Sequence, residues 1–201
     1  MPDTIQSMAK EFLYAFLVNQ EIGLYSLLGG ILMGFPLTWM RVRSGWSGAV
    51  ANSLITLLRA FPAFVLMFVL LNALSNSIYF IHLYANNIPK VSLILALCVY
   101  ATAVISDAAQ DAWQHYQQSD TAKALLLIPT LFRIFTILVM ASSIGAAIGV
   151  QDAVTYTLSK AETIPDALDR IWLVLSATLF FVAYFSIIRF TLYHIVQRIS
   201  K

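Results

Sequence analysis

Two acidic side chains could carry chemistry together. Asp107 and Asp111 lie four residues apart, which places them on one face of a helix. Paired carboxylates can exchange protons with a substrate or hold a cation. Because no histidine or third carboxylate accompanies them, we interpret them as the solvated beginning of a loop rather than as an acid–base pair.

The other reactive groups have no chemical partner in the sequence. The single cysteine, Cys98, excludes an internal disulfide, and the histidines at positions 82, 115 and 194 are isolated from it and from one another. Ser142 and Ser143 precede Gly145 without the pattern of a nucleophile elbow, and there is no glycine-rich phosphate loop. We therefore predict no catalytic residue, no metal site and no cofactor, and we do not expect this chain to hydrolyse ATP.

The composition predicts a membrane protein. Of the 201 residues, 60% are hydrophobic and 11% are charged, whereas about 25% of the residues in a soluble domain are charged. The formal net charge is only +2 and no basic block is present, which excludes a nucleic-acid binder. The length fits one domain, residues 1–201, embedded in a lipid bilayer.

Five stretches are apolar enough to cross about 30 Å of hydrocarbon. We place the spans at about 22–40, 48–74, 90–108, 132–150 and 170–190. Residues 5–20 collect apolar side chains on one helical face, which predicts an amphipathic helix on the membrane surface rather than a sixth span. The predicted fold class is an all-α integral membrane bundle of five transmembrane helices with an N-terminal amphipathic segment.

The basic residues predict the orientation, because cytoplasmic loops carry an excess of lysine and arginine. One set of span ends is richer in cations, and it comprises Arg41, Arg43, Lys123, Arg133, Arg189, Arg198 and Lys201. The N-terminus is then outside and the C-terminus in the cytoplasm of a multi-pass protein of the cytoplasmic (inner) membrane.

With that orientation, the longest polar stretch on the cytoplasmic side is the loop 107–130, where a soluble partner is expected to bind. Residues 119–127 within it are typical of a short helix, and Ser119 or Asp120 can cap its first amide groups. Pro129 ends this pattern before the fourth span.

Three stretches resemble the permease subunits of type I ABC importers, and among them the polar amino-acid group. Residues 56–65, TLLRAFPAFV, are similar to that group's ELFRGTPLLV, with Arg59 and Pro62 in the matching places. Residues 120–125, DTAKAL, are similar to EAARAL at the start of the EAA motif, and residues 148–152, IGVQD, are similar to IGVQE. The likeness covers about residues 24–201.

The resemblance implies an ATP-driven importer that moves a polar amino acid or a similar small solute by alternating access. Cytoplasmic ABC ATPase subunits, a second permease subunit and an extracytoplasmic solute-binding protein would be its partners. Six residues would couple the permease to the ATPase: Asp120, Thr121, Ala122, Lys123, Ala124 and Leu125. Arg59 and Pro62 would lie in the substrate path or at a subunit interface.

The chain also departs from the family pattern. Leu126 replaces the EAA glycine and would either strain the following turn or continue the helix. Val139 replaces the closing proline, and the chain after Leu138 is shorter than the pattern by about one span. These departures favour an alternative function, in which a permease-like scaffold or regulatory subunit forms no translocation path.

Arg59 and the small residues each allow two interpretations. Arg59 interrupts an apolar span, so it has a role in the path or pairs with a neighbouring helix to hold the bundle together. Pro62 and Pro36 bend their spans or serve packing alone. The small residues Ser26, Gly29, Gly30 and Gly34 predict close helix packing, inside one subunit or against a second one.

Overall fold

The structure is a computed structural model, which describes residues 2–43, 45–77, 82 and 87–199. The described residues form helices and no strands. The α-helices are α1 (Pro2–Val42), α2 (Trp46–Ala60), α3 (Ala63–Ser75), α4 (Ile88–Gln117), α5 (Thr121–Ala124), α6 (Leu127–Ser142), α7 (Ala153–Thr163) and α8 (Ala167–Ile199). A 3-10 helix, Ser143–Ile148, follows α6. Among the described residues, four helical stretches are long and apolar enough to cross a membrane, or five if the bent pair α2 and α3 counts as one span.

Helix α1 corrects the prediction of a separate amphipathic segment at the N-terminus. Residues 5–20 are the first half of one helix of 41 residues, because neither glycine nor proline lies between them and Ile22. Their apolar face packs against the bundle, where Phe12 and Phe16 meet Phe180 of α8 edge to face. At 1.5 Å per residue α1 is roughly 60 Å long, about twice the thickness of the hydrocarbon core.

Helices α1 and α4 run side by side in the same direction. Glu21 contacts Lys90 at 2.6 Å, and farther along both helices Arg41 contacts Asp107 at 2.9 Å. Between these ion pairs the helices approach closely, because a Cβ atom on Gly30 would lie 2.5 Å from Ala101 Cβ. The two ends of the bundle are called the Glu21 end and the Arg41 end below. The small residues thus form a contact inside one subunit.

Helices α2 and α3 replace the single second span predicted at 48–74, and they meet at an angle of 90°. Pro62 causes the break, because it has no backbone N–H to donate and it holds Phe61 in an extended conformation (φ −78°, ψ 117°). Since α1 and α4 both run from the Glu21 end to the Arg41 end, the chain between them has to return. The bent pair lies on that return, and the described residues hold five spans if this pair counts as one span and four otherwise.

The C-terminal half of the chain packs on the other side of α1. Helix α6 runs antiparallel to α1, with Val139 against Gly23, and α8 runs parallel to it, with Tyr184 donating to Gln20 at 2.9 Å. The short helix α7 lies between them at the Glu21 end. The buried apolar core joins α1, α3, α4 and α6 with Val150, and its members are Ile22, Met67, Leu93, Ala96, Leu97, Ala101, Ile105, Ile134, Leu138 and Val150.

Helix bounds differ from the predicted spans at the Arg41 end. Helix α4 continues to Gln117, so the beginning of the predicted loop 107–130 is helical. The predicted fourth span, 132–150, is divided between α6 and the 3-10 helix, and the fifth, 170–190, lies inside α8.

Candidate functional site

The chain reverses direction between α4 and α6 at the Arg41 end. Ser119 has a left-handed backbone (φ 62°), and the Asp120 N–H donates back to the His115 carbonyl at 3.0 Å. A left-handed residue is the usual way to end a helix, although glycine more often occupies that position. The turn leaves residues 120–125, the coupling segment, outside the bundle.

The coupling segment is a capped and exposed turn of helix. The Asp120 carboxylate accepts from the Lys123 N–H at 3.2 Å and contacts Lys123 Nζ at 2.8 Å. These hydrogen bonds from Lys123 lower the pKa of Asp120 from its ordinary value. None of the residues of α5 is buried, and Ala122 in particular is exposed while Ala124 is half-buried.

Leu126 continues the helical backbone instead of straining it. Its φ and ψ are −65° and −8°, and its N–H donates to the Lys123 carbonyl at 3.1 Å. The Ile128 N–H donates to Leu125 in the same way, and α6 begins at Leu127. A glycine is therefore not required here, because residues 125–128 adopt no left-handed conformation.

Arg59 belongs to an ion-pair cluster that joins three helices. Asp107 of α4 accepts from Arg41 of α1 at 2.9 Å and from Arg59 at the end of α2. Arg41 Nε also donates to Asn52 at 2.8 Å. Arg59 is thus half-exposed (58%) at the Arg41 end and not in the middle of a span. Arg59 pairs with Asp107 of the neighbouring helix α4, three residues before the break at Pro62, and its role in the path or at a subunit interface stays a prediction.

Asp107 and Asp111 belong to α4 rather than to the beginning of a loop. Together with His115 they line one wall of a cleft of about 370 Å³, and Lys123 and Arg133 line the other wall. His115 follows Asp111 by four residues, so the helical spacing of Asp107, Asp111 and His115 was the signal in the sequence that the three side chains share one face. The cleft opens between α4 and the coupling segment and has acidic and basic groups on opposite sides.

A second polar cluster, which sequence reasoning missed, is buried at the Glu21 end. Asn19 Nδ2 donates to Ser142 Oγ at 2.8 Å and to Asp152 Oδ2 at 3.1 Å. Asn19 Oδ1 accepts from the Ala153 N–H at 3.1 Å, and Asp152 caps α7 through the Thr155 N–H. All three side chains are fully buried. A lone asparagine in an apolar helix was the available signal, because such residues need partners.

Next to this cluster, α7 is tied to the first half of α1. The Tyr156 hydroxyl donates to Glu11 at 3.1 Å, and Lys160 contacts the same carboxylate at 3.2 Å. Burial and the hydrogen bond to Glu11 raise the pKa of Tyr156 to about 12. This contact fixes the position of α7 on the Glu21 end.

No group of three or more His, Cys, Asp or Glu residues that could hold a metal ion occurs within residues 2–43, 45–77, 82 and 87–199. The polar clusters at the two ends are held by ion pairs and hydrogen bonds between side chains, so their arrangement is that of helix-linking contacts. The cleft beside the coupling segment places acidic and basic side chains around an open space at the surface of the described part of the chain.

No protein-family model matches the sequence, and no curated protein is similar to it. A solved structure is similar in its fold: a chain of the "Crystal structure of an amino acid ABC transporter with histidines" superposes with a TM-score of 0.63 at 16% sequence identity. The similarity covers 98% of this chain and 96% of that chain. At this identity the likeness shows the fold. The protein has the fold of a membrane chain from an ABC transporter.

Proposed function

We propose that this protein is a permease subunit of an ATP-driven ABC importer. In this proposal the Arg41 end faces the cytoplasm of the inner membrane, the N-terminus is outside, and the coupling segment (Asp120, Thr121, Ala122, Lys123, Ala124 and Leu125) docks onto an ABC ATPase. ATP hydrolysis takes place on that separate subunit. The observation that supports the proposal best is the exposed, capped helical turn that α5 presents beyond the bundle.

The surroundings of the coupling segment support a mechanical role. On its C-terminal side it passes into α6 through Leu125 and Leu126, which have helical backbone angles, so a push on α5 is transmitted along α6. On its N-terminal side the Ser119 turn binds it to the last carbonyl groups of α4. Movement of an ATPase against this segment would therefore rock α4 and α6 together, as alternating access requires.

The remaining partners and the solute also belong to the proposal. The similar solved structure is described as an amino acid transporter, which agrees with the resemblance of this sequence to polar amino-acid permeases, so we propose an amino acid or a similar small polar solute. A second permease subunit and an extracytoplasmic solute-binding protein would complete the assembly. Arg59 and Pro62 would act at the bend between α2 and α3, where the path or the subunit interface changes shape.

Ala122→Glu tests the coupling role directly. The exposed position of Ala122 means that glutamate can be accommodated without disturbing the fold, whereas Ala124 is half-buried. A bulky anion on the docking face should prevent contact with the ATPase. We expect an affinity-purified full-length wild-type chain, extracted from its own membranes in detergent, to carry an ABC ATPase that mass spectrometry identifies, and the Ala122→Glu chain to lose it.

The matched control is Ala167→Glu, which makes the same change at an exposed residue at the beginning of α8. It should keep the ATPase and reach the membrane at the same level as the wild type. Recovery of the wild-type chain without any ABC ATPase would contradict the proposal and favour the permease-like scaffold. Equal recovery from all three chains would exclude the coupling segment as the docking site.

A further inference from the structure

Helices α6 and α8 enclose a groove of about 620 Å³ on the outer surface of the bundle. Arg133 on α6 and Arg189 on α8 both line it, together with Tyr193. Most of its other lining is apolar and includes Ile188 and Leu192. The groove thus combines two guanidinium groups with an apolar floor.

The two arginines form no ion pair within the described residues, and Arg133 also lines the cleft that carries Asp107 and Asp111 on its opposite wall. Both are exposed, and neither takes part in an ion pair or hydrogen bond with another residue of the described ranges. Nearby cations differ in this respect, because Arg41 and Arg59 share Asp107 and Lys123 contacts Asp120. A ligand for this groove should therefore be anionic.

The positions of the arginines along their helices fix their level in the membrane. Arg133 directly precedes the uncharged stretch 134–150, and Arg189 directly follows the uncharged stretch 171–188. Since α6 and α8 are antiparallel, both arginines lie at the boundary of these uncharged stretches that is nearer the Arg41 end, and the shorter uncharged segments 127–132 and 190–193 lie beyond that boundary. Tyrosine and arginine at such a boundary are typical of the headgroup region.

We propose that this groove binds an anionic phospholipid, with its phosphate between Arg133 and Arg189 and an acyl chain along the apolar lining. A guanidinium group can donate two parallel hydrogen bonds to a phosphate, and the Tyr193 hydroxyl can donate another. Basic pockets between membrane helices bind such headgroups. The inference depends on the bilayer and not on the docking of an ATPase, so the two proposals fail independently.

Native mass spectrometry of the full-length protein in detergent tests the inference. The probes are dioleoylphosphatidylglycerol and dioleoylphosphatidylcholine, which have the same acyl chains and differ in headgroup charge. We expect the first lipid to bind to the protein to be phosphatidylglycerol rather than phosphatidylcholine. Each arginine should contribute about fivefold to this preference. Arg133→Gln and Arg189→Gln should each reduce this preference about fivefold, and the double substitution should abolish it.

Two further variants separate a site from general surface charge. Arg43→Gln removes the same charge from an arginine that stacks on Trp39 at 3.6 Å, and it should leave the preference unchanged. Arg189→Lys retains the charge and should retain part of the preference. Equal affinity for both lipids in the wild type, or an equal loss in Arg43→Gln, would overturn the inference.

Two other occupants of the groove would each give a distinct result. Displacement of bound phosphatidylglycerol by millimolar inorganic phosphate would identify a site for a soluble anion. A changed number of subunits in the double variant, with unchanged bound lipid, would identify a contact between protein chains. Either result would overturn the lipid assignment.

Discussion

Helices α4 and α8 have nearly the same hydropathy and opposite surroundings. Their apolar windows have mean hydropathies of 2.1 and 2.3, yet 50% of the α4 window is buried inside the protein and none of the α8 window is. The difference lies in side-chain size. Helix α4 presents Ala96, Ala101 and Ser106 to the core, whereas α8 is rich in leucine, valine and phenylalanine. Hydropathy identifies a membrane helix, and small residues identify the helix at the centre.

The contacts of the two helices with α1 differ in the same sense. On the α4 side, glycines of α1 allow the backbones to approach, and Thr38 Oγ1 lies 3.1 Å from Ser106 Oγ. On the α8 side, large rings fill the space, with Phe16 and Phe180 centroids 5.1 Å apart. A bilayer offers little hydrophobic driving force between helices, so close van der Waals packing and hydrogen bonds hold the first pair. The α1–α4 contact is therefore the more sensitive to added volume.

Gly30→Leu should have the largest effect. Already the Cβ atom would lie 2.5 Å from Ala101 Cβ and 3.0 Å from the Ala101 backbone carbon, which cannot move aside without separating the helices. Overpacking costs typically about 1–3 kcal/mol and occasionally more, and we expect the upper end of that range here. The free energy of unfolding in mixed micelles, measured by titration with dodecyl sulfate, reports the loss.

The control for Gly30→Leu is Ala183→Leu, which also adds volume but at an exposed position of α8. It should leave the unfolding free energy within about 0.5 kcal/mol of the wild-type value, as is usual for surface substitutions. If the two substitutions cost the same, close packing of α1 on α4 is not what distinguishes the two contacts.

Much of the fold follows from the sequence because apolar length alone predicts a membrane helix. Such a count is insensitive to direction, however, so it does not predict the 90° bend inside the stretch 48–74. Pro36 and Pro62 illustrate the point: Pro36 stays inside α1, whereas Pro62 ends one helix and caps the next. Both prolines lack a backbone N–H, but the packing of α1 on α4 keeps the helix continuous at Pro36. Proline therefore marks where a span can break, and tertiary contacts decide whether it does.

The polar contacts were harder to predict than the helices. The cap at Asp120 is local, so spacing was enough to predict it. Arg59 and Asp107 are 48 residues apart, and Asn19 and Asp152 are 133 residues apart. Partners at such separations depend on how the helices are arranged, which one sequence does not specify. The shortening after Leu138 and the ATPase contact of the coupling segment stay predictions.

Asn19→Ala should have an intermediate effect. The substitution removes the side-chain amide that hydrogen-bonds to Asp152, Ser142 and the Ala153 N–H in the wild type. All of these groups are buried. A buried group left unsatisfied costs about 1–3 kcal/mol. The same dodecyl sulfate titration measures the loss, and Thr191→Ala on exposed α8, whose hydroxyl bonds only to Ile187, is the control.

A null result for Asn19→Ala would be informative in its own right. Loss of less than about 0.5 kcal/mol would mean that water replaces the amide among the three helices. The cluster would then be a hydrated site rather than the polar link between α1, α6 and α7 that the distances describe.

Thr38→Val should have the smallest measurable effect, and it removes the hydroxyl that joins α1 to the carbonyl and the hydroxyl of Ser106 on α4. Thr38 donates to the Gly34 carbonyl at 2.9 Å within α1 and reaches Ser106 on α4 at 3.1 Å. Thr178 on α8 makes only the first kind of contact, to Val174 at 2.8 Å. Thr178→Val therefore removes the intrahelical bond alone, so the difference between the two substitutions is the contribution of the contact with α4.

That difference should be about 0.6 kcal/mol, the average for hydrogen bonds between membrane helices. A double-mutant cycle of Thr38→Val with Ser106→Ala measures it independently, because the coupling energy vanishes if the two hydroxyls do not interact. A coupling near zero, combined with a full effect of Gly30→Leu, would mean that the contact between these two hydroxyls adds nothing to packing, whereas the contact of Thr38 with the Ser106 carbonyl, which Ser106→Ala retains, is measured only by the comparison with Thr178→Val. A coupling above about 1 kcal/mol would mean that hydrogen bonds stabilise the α1–α4 contact about as much as packing does. The hydrogen bonds that link Arg41, Ser106 and Thr38 would then act as one cooperative unit.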